Sequence, residues 1–309
     1  MDEFQNFFPL NWRTVSLLET KKFFGEDSTG LLQPTPICLG NGRIRIYCGL
    51  RDRSGVSRIH FIEIDEKKPF NILEVSSREI VSLGANGFFD DNGMVPTCIS
   101  KTPDEWLLFY AGYQLVSNVK FLAFGGALRS EDGKTFERTR TTPIMDRKPG
   151  EEYFRVPHSV AFLSESKEFE IYYGAGNVFS WNIEKQVVSP VYDIRETRTK
   201  DWVNFSESRI LIPLEAGELR VGRPNVINFQ GQKFMLFTSF TLSKSELVVA
   251  GICEKSSWER LGTINIESEG FPDKNMRGYP SMLTCHGQNI LFYNGDNYGR
   301  DGILIAEPL

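Results

Sequence analysis

The residues best equipped for chemistry cluster around five X-Pro dipeptides. Asp90 and Asp91 precede Val95-Pro96, Glu151 and Glu152 precede Val156-Pro157, and His158 follows that second proline directly. One protonated and one ionised group make an acid/base pair, so Asp91 and Glu152 are candidate catalytic carboxylates. His158, one of 3 histidines in the chain with His60 and His286, is a candidate general acid or base. Each has a structural alternative: Asp91-Asn92-Gly93 is also a turn signature, an acid pair before a strand is also a solvated loop, and His158 also suits a hydrogen-bonded core. Arg155, Arg223 and Arg277 lie just ahead of prolines, and Arg51 follows an apolar run. The guanidinium is a planar fork matched to carboxylate or phosphate, so four of them point to an anionic ligand, or else to structural pairing with Asp90, Asp91, Glu152 or Asp296. Asp90, Asp296 and Tyr279 complete the candidate binding set; Asp296 sits in Asn294-Gly295-Asp296-Asn297, which equally suits a glycine-rich turn. Tyr110, Tyr113, Tyr173 and Tyr298 are further aromatic platforms, though strand-end tyrosines also serve as packing residues with a wet hydroxyl.

These residues need elements that bring them together. Prolines 34, 96, 157, 224 and 280 head five similar segments, in Gln33-Pro34-Thr35, Val95-Pro96-Thr97, Val156-Pro157-His158, Arg223-Pro224-Asn225 and Tyr279-Pro280-Ser281. Each is followed by a β-branched and aromatic run: RIRIYCG, WLLFYAG, FEIYYGAG, KFMLFTSF and NILFYNG. Turn sequences such as Gly40-Asn41-Gly42 and Gln230-Gly231-Gln232 separate the two runs, so each segment opens as a hairpin. Third runs follow, among them SRIHFIEID, FLAFGGALRS, ELVVAGICE and GILIAEP. A unit of about 60 residues with three or four antiparallel strands cannot bury both faces alone, whereas five units packed radially can. The expected architecture is all-β, a single five-bladed β-propeller over residues 1–309, its last blade completed by a strand near Trp12–Leu18. Two β-sandwich domains would leave the recurrence unexplained. In a propeller the proline-headed strands converge on the axis, where a ligand would meet all five.

The bulk properties narrow the partners. The 309 residues carry a net charge of -5 without a basic run, which gives no general attraction to nucleic acid or anionic membrane. No segment reaches the roughly 20 apolar residues of a membrane helix, and the acidic start MDEFQNFFPLNW does not read as a secretion signal. The five cysteines, Cys38, Cys48, Cys98, Cys253 and Cys285, lack CxxC spacing and mostly lie in apolar runs, so buried reduced thiols and a cytoplasmic location are expected. With no HxxxH or Cys/His cluster along the chain, neither metal nor cofactor is expected. Oligomeric state is not encoded legibly.

The segments FFDDNGMVPTCI, LRSEDGKTFERTRTTPIMDR, EEYFRVPHSV, GRPNVI and RGYPSMLTCHGQNILFYNGDNYGRDGILIAE resemble bacterial glycosyl-hydrolase-like five-bladed propellers, from about Leu31 to the C-terminus. These are related to glycosidase families 32, 43, 68 and 130, and many accompany surface-polysaccharide biosynthesis. The resemblance implies sugar chemistry at the axis, where cleavage uses two carboxylates. It also implies that family 43 carboxylates would fall at Gln33, Val95 and Val156, which are not acids. Ser130-Glu131-Asp132-Gly133 is loosely similar to a sialidase Asp-box, a peripheral turn. Three functions are therefore expected as alternatives. The first is an enzyme acting at the anomeric centre of a small anionic glycoside or activated sugar, as a hydrolase or as a glycosyl transferase or phosphorylase on a sugar phosphate or nucleotide sugar. The second is a non-catalytic glycan-binding propeller, and the third a rim-binding protein scaffold.

Overall fold

The computed structural model describes residues 8–69, 71–102, 104–119, 121–148, 152–182, 187–252 and 257–309. Cys253 and Glu151 lie outside the described residues. The chain begins with β1 (Asn11–Glu19) and a helical turn over Thr20–Phe24, then folds as successive antiparallel meanders. The first comprises β2 (Ser28–Cys38), β3 (Arg43–Asp52), β4 (Ser57–Asp65) and β5 (Ile72–Val75); the second β6 (Met94–Lys101), β7 (Trp106–Gln114), β8 (Leu122–Ser130) and β9 (Glu137–Arg138). The third is β10 (Phe154–Leu163), β11 (Glu168–Asn182), β12 (Val187–Thr199) and β13 (Arg209–Ile212), joined to the second through an Arg155–Phe124 pairing. The fourth is β14 (Glu218–Phe229), β15 (Gln232–Thr241), β16 (Ser245–Ile252) and β17 (Trp258–Thr263). After β18 (Asn265–Glu267), the fifth contains β19 (Gly278–Cys285), β20 (Gln288–Asn294) and β21 (Gly302–Pro308). β1 is its fourth strand: Trp12 pairs with Pro308 and Leu18 with Ile303, while β18 runs parallel to β1 on the other side.

The leading strands close a ring, because β2 packs on β6, β6 on β10, β10 on β14, β14 on β19, and β19 on β2. Packing between meanders explains why the second strands are largely apolar on both faces. Successive side chains on a strand point to opposite faces, and here both faces meet a neighbouring blade. On β7, Leu108 and Tyr110 pack toward blade 1 with Tyr47, Ile59 and Phe61, while Leu107 and Phe109 pack toward blade 3 with Ile171 and Tyr173. On β15, Met235 and Phe237 join blade 3, and Phe234 and Leu236 join blade 5. On β20, Leu291 and Tyr293 face blade 4, and Ile290 and Phe292 face blade 1. The all-β propeller expected from the hairpin repeat is thus the fold observed. Among the described residues no helix is long and apolar enough to cross a membrane.

Buried acid–tyrosine–arginine clusters fix the loops that lead into three of the axial strands. Before β6, Asp90 accepts from Tyr110 Oη at 2.8 Å and pairs with Arg138 at 2.9 Å. Before β10, Glu152 pairs with Arg155 at 2.8 Å and Arg195 at 3.0 Å and accepts from Tyr173 Oη at 3.0 Å. Before β19, Asp273 pairs with Arg277 at 2.9 Å and accepts from Tyr293 Oη at 2.8 Å. The tyrosines occupy matching places on β7, β11 and β20, and burial, with the adjacent carboxylate adding to it, pushes their hydroxyls far above the usual phenol range. The Ser-x-Asp-Gly turn is peripheral: Asp132 accepts backbone N–H groups of Lys134 and Thr135 at 2.7 and 2.9 Å. The carbonyl of Gly133 receives Tyr47 Oη at 2.6 Å, pinning blade 2 to blade 1.

One expectation is corrected. Cys38 and Cys285 are joined as a disulfide, with Cα atoms 5.9 Å apart, whereas Cys48 and Cys98 are free. The pair spans 247 residues of sequence, so only closure of the ring, which sets the end of β2 beside the end of β19, makes the two thiols neighbours. Burial pushes the Cys48 thiol up to about 12, leaving it inert.

Two stability outcomes follow from this packing. Leu236→Ala, which empties space in a fully buried interblade cluster, should lower unfolding free energy in urea by about 2–5 kcal/mol, while exposed Val203→Ala should change it by less than about 0.5 kcal/mol. Glu152→Gln, which takes the carboxylate from buried Arg155 and leaves Arg195 with Asp193 alone, should cost about 3–5 kcal/mol; a stable variant with altered ligand binding alone would instead mark Glu152 as a site residue.

Candidate functional site

The site is made where the leading strands break their register. In β2 the shift lies between Leu32 and Thr35, in β14 between Gly222 and Asn225, and in β19 between Gly278 and Ser281. The residue before the proline in each, Gln33, Arg223 and Tyr279, adopts a left-handed φ of 53°, 58° and 57°. For non-glycine residues this costs on the order of 1–3 kcal/mol and persists only where the surroundings fix it. Asn294 supplies part of that fixing, accepting from Gln33 N at 2.8 Å and donating to the Leu31 carbonyl at 2.8 Å. Thr238 Oγ1 likewise accepts from Tyr279 N at 2.8 Å. β6 and β10 shift only after their prolines, and Val95 and Val156 stay out of the left-handed region, which a β-branched side chain tolerates poorly.

The three bulges turn Gln33, Arg223 and Tyr279 inward, into an axial funnel of about 610 Å³ lined from all five blades. Leu32, Gln33 and Arg51 come from blade 1, Asn92, Val95 and Tyr113 from blade 2, and Phe154, Val156, His158 and Tyr192 from blade 3. Blade 4 gives Arg220, Arg223 and Phe240, and blade 5 gives Met276, Tyr279 and Tyr298. Two aromatic groupings form the wall, Phe154 stacked on Tyr192 with centroids 4.9 Å apart, and Tyr279 beside Tyr298 at 6.2 Å. Gly222 is required here, because a Cβ would come within 2.6 Å of the Tyr192 ring.

Arg223 forms the floor. Its guanidinium donates to the Pro34 carbonyl and Thr35 Oγ1, each at 3.0 Å, to the Thr97 carbonyl, to the His158 carbonyl at 3.3 Å and to Ser281 Oγ at 3.4 Å. Burial lowers its pKa to about 10, and no ion pair to it is present among the described residues. Burial also holds His158 well below the ordinary imidazole range, with the Arg223 charge adding to it, so His158 is neutral at physiological pH. Higher in the funnel, Arg220 lies over the Phe240 ring at 4.6 Å and donates to Tyr298 Oη at 3.3 Å. Desolvation opposes its charge, but the surrounding Tyr192, Tyr298 and Tyr279 outweigh it and its pKa rises. Arg51 donates only weakly, to the Thr29 carbonyl at 3.4 Å, and burial lowers its pKa.

Of the candidates named from sequence, Arg51, His158, Arg223 and Tyr279 are brought together in the funnel. Six are placed elsewhere. Asp90, Glu152, Arg155 and Arg277 are held in the clusters described above. Asp91 accepts from Gly87 N at 2.8 Å, and Asp296 from the N–H groups of Asn275 and Met276 at 2.8 and 2.7 Å, both organising turns. Strand alternation explains Arg155, since Phe154 and Val156 face the funnel and the residue between them faces the blade wall; Arg277, just ahead of β19, is held by Asp273 and the Ser268 hydroxyl, each at 2.9 Å. Arg220 was not singled out, although its place two residues before Gly222 on a funnel-facing strand was a usable signal. Tyr192 carried none, because its strand is not proline-headed. Gln33, Val95 and Val156, where the sequence resemblance implies family 43 carboxylates would fall, all line the funnel, and no aspartate or glutamate does so among the described residues.

No protein-family model matches the chain. It is 27% identical over 281 residues to the uncharacterised protein Rv1502 of Mycobacterium tuberculosis, covering 88% of this chain and 90% of that one. Among solved structures, a glycoside hydrolase superposes with a TM-score of 0.73 at 14% identity, covering 100% of this chain and 96% of that one. The α-L-arabinofuranosidase PaAbf62A of Podospora anserina, in complex with cellotriose, gives a TM-score of 0.66 at 12% identity, covering 97% and 96%. At such identities the likeness is one of fold: this chain is built on the propeller that those glycoside hydrolases share.

Proposed function

We propose that the axial funnel binds a small anionic carbohydrate, such as a sugar acid, sugar phosphate or nucleotide-linked sugar, and does so without cleaving it by the two-carboxylate route. The observation that carries this is the funnel's composition: three guanidinium groups among tyrosines, and no carboxylate from the described residues. The tyrosine and phenylalanine rings offer flat faces to a sugar, while Arg51 and Arg220 present forks to its anionic group. Arg223 is spent on the strands around it and acts at a distance, through its charge. Glycoside cleavage needs an acid and a base or nucleophile flanking the bond; the positions where the sequence resemblance would place them hold Gln33, Val95 and Val156. Neutral His158 has too low a pKa to serve as a proton donor at pH 7. The fold kinship favours a carbohydrate over other anions, and a role in surface-glycan metabolism extends the sequence resemblance.

Isothermal titration with uronic acids, sugar 1-phosphates and nucleotide sugars, each against its neutral counterpart, tests this. Only the anionic ligands should bind, more weakly as salt rises, and Arg51→Met or Arg220→Met should each raise Kd at least about tenfold. Turnover of an aryl glycoside by the native protein, lost in Asp91→Asn, would replace binding with hydrolysis. His158 gives a pH signature. Its folded pKa is depressed, so below about pH 6.5 the unfolded chain takes up a proton that the folded protein refuses. The stability due to neutral His158 is therefore complete above that pH and is lost on acidification, by about 1.4 kcal/mol per pH unit. Urea midpoints of His158→Gln between pH 6.5 and 5 should fall less steeply than those of the native protein.

A further inference from the structure

A second set of chemically capable side chains lies away from the funnel, at the seam where blade 1 meets blade 5. Gln33 faces the funnel, and Cys38 lies five residues further along the same strand, about 16 Å away in an extended chain. There Cys38 meets Cys285 from the end of β19, with His286 next to it and Glu66 just beyond β4. One ligand atom from each of the four, the two Sγ, an imidazole nitrogen and a carboxylate oxygen, lie within 4.8 Å of one another. His286 Nδ1 is 2.5 Å from Glu66 Oε1 and 3.9 Å from Cys285 Sγ.

Two features set this group apart from a chance cluster. The Glu66 side chain is only 4% exposed, and among the described residues its side-chain partner is the far more exposed His286. A buried carboxylate held by one imidazole is costly unless a further cation shares it. The turn is also unusual. His286 and Gly287 take φ of 44° and 83°, the left-handed pair of a tight hairpin that Asn-Gly fills at least cost. Histidine at the first position places its imidazole beside Cys285 and Glu66.

We propose that Cys38, Cys285, His286 and Glu66 form a thiol-based site for a divalent transition-metal ion of the zinc type, which the Cys38–Cys285 disulfide closes on oxidation. Two thiolates, one imidazole and one carboxylate are a tetrahedral zinc donor set, with metal–ligand distances of about 2.0–2.3 Å; such a site draws its four ligand atoms to within about 4 Å of one another. The two states exclude each other, because the same sulfur atoms bond either to one another or to the metal. A dithiol reductant donates two electrons and two protons, breaking the Cys38–Cys285 bond and becoming a disulfide itself. The two freed thiols then release their protons to solvent as the metal binds. In the reducing cytoplasm expected from the sequence, the metal form would be the working one. Either form clamps the first blade to the last.

Cobalt titration of the full-length protein tests this independently of any sugar. After reduction with a dithiol and its removal without air, one equivalent of Co²⁺ should give thiolate charge-transfer and intense tetrahedral d–d absorption, and one equivalent of Zn²⁺ should bleach both. The oxidised native protein, identical in sequence and folded, should give neither, and nor should Cys38→Ser. His286→Ala, a change at an exposed side chain, should weaken Co²⁺ binding at least tenfold. Absence of the bands in the reduced native protein, or their persistence in Cys38→Ser, would overturn the proposal. Circular dichroism of each variant separates lost ligation from lost folding.

Discussion

One buried guanidinium organises the centre of the molecule. Arg223 belongs to the fourth blade, yet it donates to groups in the other four: Pro34 and Thr35 in the first, Thr97 in the second, His158 in the third and Ser281 in the fifth. Carbonyls at the axis of a propeller point at one another and need a donor; a five-donor fork answers that geometry as no other side chain does. The constraint reaches backward into the backbone. For its side chain to lie on the axis, Arg223 must leave the strand's alternation, which its left-handed φ and the bulge before Asn225 accomplish. It also reaches forward into electrostatics: burial chiefly keeps the neighbouring His158 imidazole neutral, and the Arg223 charge, solvated by carbonyls and hydroxyls, adds to that effect.

The division of labour among the charged residues follows from that arrangement. Acids near the axis would pair with Arg223 or Arg220 and cancel the field, and three acids that precede axial strands are instead sunk in the blade walls. There Asp90, Glu152 and Asp273 each bind a tyrosine from the second strand and at least one arginine. The same chemical types therefore do two jobs, and the choice between them is made by which side of a strand a residue occupies. In a low-dielectric setting, moving a carboxylate from wall to funnel would reverse the sign of what the site attracts.

The sequence carried the fold well and the site only partly. Five prolines at similar intervals, each heading a hairpin whose second strand is apolar on both faces, were enough to imply radially packed sheets, because nothing else buries both faces of so many short strands. The site depended on finer matters. Arg155, Arg223 and Arg277 look alike beside their prolines, but only Arg223 sits in a left-handed bulge and turns inward; Arg155 keeps the strand's alternation, Arg277 is held by Asp273 just ahead of β19, and both face the wall. Periodicity of two is legible in a sequence, whereas the single residue at which it slips is not. Tyr192 and the Cys38–Cys285 pairing depend on closure of the whole ring, which brings together residues that no local pattern connects.

The way the ring closes also has a history in time. Because β1 is held between β18 and β21, its hydrogen bonds are made with segments more than 240 residues further along the chain. Each of the first four blades is a contiguous hairpin stack and can gather locally as it leaves the ribosome, but the N-terminal strand waits with its apolar Trp12 and Leu18 uncovered until the final strands arrive. Contacts of such sequence separation are slow to form and leave an unpaired edge open to other chains meanwhile. A chain in which β1 followed β21 directly would have every blade contiguous and no such waiting period.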